Sequence, residues 1–242
     1  MKTAVSDIHF YELEIPGLLL KAIKLKNKNS KPFNIVDLGC GDGRILFALK
    51  ERGLLNNAVK VIGADISPTR IATLLEYVKN AIGIVSDACN MEQLEDESFD
   101  VVICNQVIEH VHSDEKLAKE IARLLKPDGI AYVSSVLKSR RTIWIYRQKG
   151  DFRLDPTHIR EYPHVADARA NVLRRGGLKV VELNISKFKF PLFHLLLRVM
   201  LKARLLSPDR ARLSALKHRS RLHVNPPGYW LIECLAVKLR HV

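Results

Sequence analysis

Beyond its first thirty residues the chain alternates between two hydrophobic patterns. Short apolar runs of strand length end on glycine or an acid, and stretches with apolar residues three and four apart follow them. Residues 34–38 (NIVDL) form the first run and close on the turn GCGDG. A helical stretch, ILFALKER, then stops at Gly53, a plausible C-cap. The second run is AVKVIGADIS, and Ser67-Pro68 opens a helix through IATLLEYVKNA with proline in its first turn. GIVSDACN reads as a short third strand and FDVVICNQV as a fourth, rich in β-branched residues. Ser113-Asp114 caps the helix EKLAKEIARLL, which ends at Lys126-Pro127-Asp128-Gly129, and IAYVSSVL is the fifth strand. Strands alternating with helices at this spacing predict an α/β fold with a doubly wound parallel sheet.

The flanks are less regular. Residues 1–31 read as a helical cap, broken at Pro16-Gly17 and ending in a lysine-rich loop. Residues 138–162 form a long basic connection, and residues 163–177 read as a helix ending at Gly176-Gly177. LKVVELNISKF is a sixth strand, residues 190–222 a basic helical insertion, and YWLIECLAVKL the last strand. The division is one domain over 1–242, with a ligand-binding core over 32–137 and a substrate-side half over 138–242. At 242 residues, 47% hydrophobic and 27% charged, the chain is globular in composition and large enough for a substantial core.

Charge changes the picture. The net formal charge is +13, yet residues 1–136 hold 16 Lys and Arg against 19 Asp and Glu. Residues 137–242 hold 23 against 7. The basic half points to an anionic partner: nucleic acid, a membrane surface or a phosphorylated substrate. In the insertion, His194, Arg198 and Lys202 make one polar stripe on an otherwise apolar helix. That stripe suits an anionic membrane interface, a lid over a lipid-linked acceptor, or a helix packed on the protein. Arg140, Arg141, Arg147, Lys149 and Arg153 interleave with Trp144, Tyr146 and Phe152, a pattern that can grip single-stranded nucleic acid. The N-terminus lacks the apolar core of a signal peptide, and no run reaches membrane-spanning length, so a cytoplasmic protein is expected, with peripheral membrane contact left open. Cys40, Cys89, Cys104 and Cys234 form no CxxC pair, and no metal is expected.

The chemistry lies at the strand ends. Asp37-Leu38-Gly39-Cys40-Gly41-Asp42-Gly43 lets the backbone run close to a ligand. Open α/β sheets bind ligands at the carboxyl ends of their strands. A dinucleotide fingerprint needs glycine at position 44, which is Arg44, and a P-loop needs Gly-Lys-Ser/Thr, which is missing. Glycines at 39, 41 and 43 after Asp37 fit S-adenosylmethionine (SAM) better, since it has no pyrophosphate. Asp65, ending the second strand, can accept ribose hydroxyls. Asp87, ending the third, can accept from an adenine amino group. Asn105, Gln106 and Glu109-His110 follow the fourth strand and face the methyl.

Taken together, VDLGCGDGR, GADIS, SDACNM, FDVVICNQVIEHV and LLKPDGIAYVS resemble the motifs of class I SAM-dependent methyltransferases of small-molecule type. The likeness is close over residues 33 to about 137. It implies a Rossmann-like seven-stranded sheet of order 3-2-1-4-5-7-6 with strand seven antiparallel. It also implies methyl transfer from S-adenosyl-L-methionine to a small-molecule or lipid-linked acceptor, with an RNA acceptor or a non-catalytic SAM-binding subunit as alternatives. Gly39, Cys40 and Gly41 would line the methionine part of SAM, and Asp37 would hold its ammonium. Asp65 would hold the ribose, Ile66 would lie against the adenine, Asp87 and Ala88 would meet its edge, and Asn105 would border the sulfonium. Gln106, His110 and Tyr162 fall on the acceptor side. Asp155 and His158, in a segment similar to a D-x-x-H substrate loop, are the catalytic candidates; His158 has the intrinsic pKa to take a proton near neutrality.

Overall fold

The computed structural model describes residues 14–28, 31–143, 146–148, 150–155, 157–165, 172–191, 199–200, 203–205, 207 and 223–239. Seven strands form the main sheet: β1 (Phe33–Leu38), β2 (Ala58–Asp65), β3 (Ile82–Val85), β4 (Phe99–Asn105), β5 (Leu125–Lys138), β6 (Leu178–Lys187) and β7 (Tyr229–Lys238). Their order is β3-β2-β1-β4-β5-β7-β6. β1 pairs in parallel with β2 and β4, and β7 runs antiparallel to both β5 and β6. The expected strand order and the antiparallel direction of strand seven are both found.

Period-two alternation explains why these strands are buried on both faces. Val36, Val102, Cys104 and Val133 pack on one side with Leu117, Ala118 and Ile121 of helix α4 (Asp114–Leu124). Ile35, Val101, Ile103 and Tyr132 pack on the other. There they meet α1 (Gly17–Asn27), α2 (Arg44–Glu51) and α3 (Pro68–Tyr77). Leu117, Ile121 and Leu124, at i, i+4 and i+7, are fully buried. Each contributes roughly 1.5–3 kcal/mol of burial. Caps sit where the sequence pattern puts them. The Ser67 and Ser113 hydroxyls accept from the Arg70 and Lys116 N–H groups, and Pro68 opens α3.

Three local features differ from expectation. β5 begins at Leu125, directly after α4, so Lys126–Gly129 bulges out of the strand. Phe99 pairs with Leu125, and Val101 already pairs with Ile130. The basic connection contains a short antiparallel pair, Tyr146–Gln148 with Asp151–Arg153. Of the helix expected over 163–177, the described part is Val165 and one turn at 172–175, ending at Gly177 in a left-handed conformation.

The N-terminal cap is seen as α1; residues 1–13 lie outside the described residues. So does most of the 190–222 insertion, including His194, Arg198 and Lys202, as do Trp144 and Lys149. Residues 190–191 and 223–224 pair as two short antiparallel strands at its ends. Among the described residues, no helix is long and apolar enough to cross a membrane.

Candidate active site

Each ligand-facing position predicted from the sequence core lies at or just beyond the carboxyl end of a strand. The loop after β1 turns through Gly39, Gly41 and Gly43, all with positive φ. The first and third glycines are needed for packing. A Cβ at Gly39 would lie 2.4 Å from Val107 Cγ2, and one at Gly43 2.2 Å from Leu74 Cδ1. At Gly41 (φ +56°) an added Cβ would meet no protein atom within 4 Å, so this glycine faces open space. The Gly41 N–H donates to Asp65 Oδ2 at 2.9 Å, and the Ser67 N–H donates to Oδ1 at 2.9 Å. Asp65 thereby ties the tip of β2 to the loop, with the Arg70 guanidinium 3.9 Å from Oδ2.

Electrostatics sort the polar groups here. Asp37 is 2% exposed. Burial first, then the Asp65 charge, push its carboxyl up to about 8, with Arg44 opposing. Burial and the charges of Asp37 and Asp65 also push the Cys40 thiol up, which leaves it an inert packing group. Ile66 is 75% exposed and free to carry a flat ring. Beyond β3, Asp87 Oδ1 accepts from the Cys89 N–H at 2.9 Å, and Ala88 is buried. Arg123 of α4 fixes this segment by donating to the Met91 and Leu94 carbonyls at 3.0 and 2.8 Å. Asn105 accepts from the Ser134 hydroxyl at 2.8 Å. Gln106 has φ +54°, a strained conformation for a side chain of its size. Its N–H is held by the Ser134 carbonyl and hydroxyl at 3.2 and 3.1 Å.

A second cluster lies just past β4. Residues 157–161 fold back over 108–112, where the Ile159 and Arg160 N–H groups donate to the Glu109 carbonyl at 2.9 and 3.3 Å. The Arg160 guanidinium donates to the carbonyls of Ile108, Val111 and His112 at 3.0, 2.6 and 2.7 Å. This clamp brings together Glu109, His110, His158 and Glu161. His158 is 6% exposed, and its Nδ1 lies 2.7 Å from Glu161 Oε1. With the Nδ1 proton donated to that carboxylate, Nε2 is the basic nitrogen. The His110 and His158 rings meet edge to face at 4.8 Å. Burial first, then the His158 charge, hold the His110 pKa below its ordinary value. Glu109 is fully buried. Its Oε2 accepts from the Ser135 hydroxyl at 3.0 Å, and its Oε1 has no hydrogen-bond partner among the described residues. Burial pushes this carboxyl up to about 7.

Asp155 accepts from the Thr157 N–H and hydroxyl at 2.8 and 2.5 Å, so it orders the turn that carries His158. Tyr162 is buried, its hydroxyl donating to Asp114 at 2.9 Å. Sequence reasoning passed over Glu161 and Arg160 within DPTHIREY. Glu161 stands three residues after His158, as Asp155 stands three before it, and only the fold chooses between them.

Residues 36–133 match the methyltransferase domain family. The chain is 31% identical over 175 residues to a ubiquinone biosynthesis O-methyltransferase of Rickettsia typhi, a match covering 66% of this chain and 69% of that protein. The chain belongs to the class I SAM-dependent methyltransferases. It spans less of other proteins of that name, 56% of the Rickettsia conorii one at 28% identity. Among solved structures, the methyltransferase fold superposes on the cyclase SpnF with TM-score 0.61 at 18% identity, covering 93% of this chain and 82% of that one. It also superposes on phosphoethanolamine N-methyltransferase 2 of Haemonchus contortus in complex with S-adenosyl-L-methionine. There the TM-score is 0.58 at 19% identity, covering 91% of this chain and 52% of that one. This methyltransferase uses S-adenosyl-L-methionine, and the glycine loop fits it: an open face at Gly41, bordered by the Asp65 carboxylate, is what a nucleoside with a zwitterionic tail requires.

Proposed function

We propose that this methyltransferase methylates a hydroxyl of a small-molecule acceptor, bound beside Glu109, His110 and His158. The observation that carries the reading is the His158–Glu161 pair at 2.7 Å. It is clamped onto the segment that follows Val107, and Val107 covers Gly39. One residue, Ile108, separates Val107 from Glu109, a reach of at most roughly 7 Å. This closeness along the chain supports an acceptor bound next to the SAM loop. The relatives named O-methyltransferases support a hydroxyl acceptor.

The cofactor supplies a methyl group on a sulfonium, already activated for displacement. Asp37 receives its ammonium, Gly39, Cys40 and Gly41 line the methionine part, and Asp65 accepts the ribose hydroxyls. Ile66 lies against the adenine, Asp87 and Ala88 meet its edge, and Asn105 borders the sulfonium. His158, its ring direction set by Glu161, addresses the acceptor oxygen. Gln106 and His110 flank the acceptor, Tyr162 backs the clamp, and Asp155 holds the His158 turn. The O–CH3 bond forms as the S–CH3 bond breaks, and the acceptor's proton passes to His158 Nε2. Alignment and exclusion of water provide most of the acceleration.

The test is transfer of labelled methyl from SAM to a panel of hydroxyl-bearing molecules, with and without an apolar tail, beside amine acceptors. Label in ethers, abolished or strongly reduced in His158→Ala with SAM affinity kept, is the expected result. Label confined to amines overturns the reading. Preference for tailed acceptors identifies a lipid-linked substrate.

A further inference from the structure

A row of alternating charges leads from solvent to His158. Asp151, on the short strand Asp151–Arg153, pairs with the Lys138 ammonium at the end of β5. Lys138 Nζ stands 4.0 Å from Glu161 Oε2, and Glu161 Oε1 lies 2.7 Å from His158 Nδ1. Asp151 is the exposed end, whereas the side chains of Lys138, Glu161 and His158 are 13%, 2% and 4% exposed. Solvent ions therefore screen the inner three only weakly. Lys138 is the register partner of Tyr229 on β7, so both side chains leave the sheet on one face. The Tyr229 hydroxyl and Glu161 Oε2 are both buried without a hydrogen-bond partner among the described residues. Burial first, then the Glu161 charge, hold the Tyr229 phenol above its ordinary value, so it stays an uncharged O–H. Arg153 turns its Nη1 to the His158 carbonyl at 2.9 Å.

A buried carboxylate behind an imidazole does two things. It fixes the Nδ1 proton, and it draws a second proton onto the pair. A ring that already carries a proton on Nε2 cannot take one from the acceptor. We propose that Lys138 is a positioning residue for methyl transfer: its ammonium balances the Glu161 carboxylate, so that His158 keeps Nε2 free until the acceptor delivers its proton. The inference rests on the reading of His158 as the group that takes that proton. Before transfer, Asp151, Lys138, Glu161 and His158 are negative, positive, negative and neutral in turn. Afterwards the methyl is on the acceptor oxygen, the acceptor's proton is on Nε2, and the alternation runs to the end of the row. Glu109 and His110 face the pair from the segment after β4, and Arg153 and Asp155 from the segment leading into His158. None of these four is altered by removing the Lys138 charge.

Lys138→Met keeps the length of the side chain and removes its charge. The His158 ring, assigned by comparison with His158→Ala, is followed by NMR across pH in the ligand-free full chain. The His158–Glu161 pair should take up its proton about one pH unit higher in Lys138→Met, about tenfold in proton affinity. The acid limb of the kcat profile should move up with it, at unchanged SAM affinity, and turnover should recover at higher pH. A merely structural role would lower kcat equally at every pH. In a Glu161→Gln background the same change should cost less than about twofold, because the charge it balances is gone. Asp151→Asn, at the exposed end of the row, frees Lys138 to act on Glu161 alone and should move the uptake to lower pH. Proton uptake unmoved in the folded, SAM-binding variants, or moved upward by Asp151→Asn, overturns the inference. So does an undiminished effect of Lys138→Met in the Glu161→Gln background. The expected NMR shift with undiminished transfer to hydroxyls by His158→Ala supports the coupling of Lys138 to the pair and defeats the reading of His158 as the proton acceptor.

Discussion

The proposed contact of Asp37 with the SAM ammonium predicts that SAM binding is linked to proton release. The Asp37 carboxyl lies at the end of β1, buried, and is raised to about 8. At pH 7 the ligand-free protein therefore holds about 0.9 of a proton there. The proposed contact with the SAM ammonium requires the carboxylate, and shedding the proton at pH 7 costs about 1.4 kcal/mol. Close to one proton should leave this position for each SAM bound at pH 7, and about a tenth of one at pH 9. Calorimetry in buffers of different ionisation enthalpy reads that number, with Asp37→Asn as baseline. Equal proton release by wild type and Asp37→Asn at pH 7 would remove Asp37 from the ammonium site. The sign of the stability effect follows as well. A folded-state pKa above the unfolded one gives stability that is present below about pH 4 and lost as pH rises towards 8. Ligand-free Asp37→Asn should thus melt above wild type at pH 8.5 while binding SAM more weakly.

Three further outcomes test other parts of the site. Gly41→Ala should lose only about 1–2 kcal/mol of stability from its left-handed backbone, while SAM affinity drops at least tenfold; a melting loss with intact affinity places the ligand elsewhere. Asp65→Ala strips two backbone N–H groups of a charged acceptor, each worth roughly 1.5–3 kcal/mol, so calorimetry should show SAM affinity falling about a hundredfold or more, and native affinity would exclude Asp65 from the cofactor site. Glu161→Gln should lower kcat by about ten- to a hundredfold without changing SAM affinity; unchanged turnover in steady-state assays would show that the ring orientation of His158 is immaterial.

The strand ends that carry the proposed SAM residues were legible because they are written locally. Asp37, Asp65 and Asp87 each lie within a few residues of a strand end, and alternation fixes where strands end. The acceptor half depends on folding at a distance. His158 has an acid three residues to either side, and the side on which its partner lies is decided by Arg160 hooking the carbonyls after β4. Guanidinium-to-carbonyl bonds leave no periodic trace. Glu109 was visible only as half of a Glu-His pair; that one of its oxygens is left without a donor follows from the packing of Ser135 on β5. The short strand pair after residue 146 was hidden for a similar reason, since three-residue strands are too short to show alternation.

Leu74 sits between two of the glycines described above. Its Cδ1 occupies the place of a Gly43 side chain, and its Cδ2 that of a Gly63 side chain, which would lie 2.4 Å away. One fully buried leucine therefore sets the gap between the tip of β2 and the turn after β1, acting as a spacer for the cofactor bed. The three positions are sterically coupled. A lineage that gains alanine at 43 or 63 has to shorten residue 74 in step, so drift in the glycine motif should be accompanied by compensating change on α3, an element outside the motif itself.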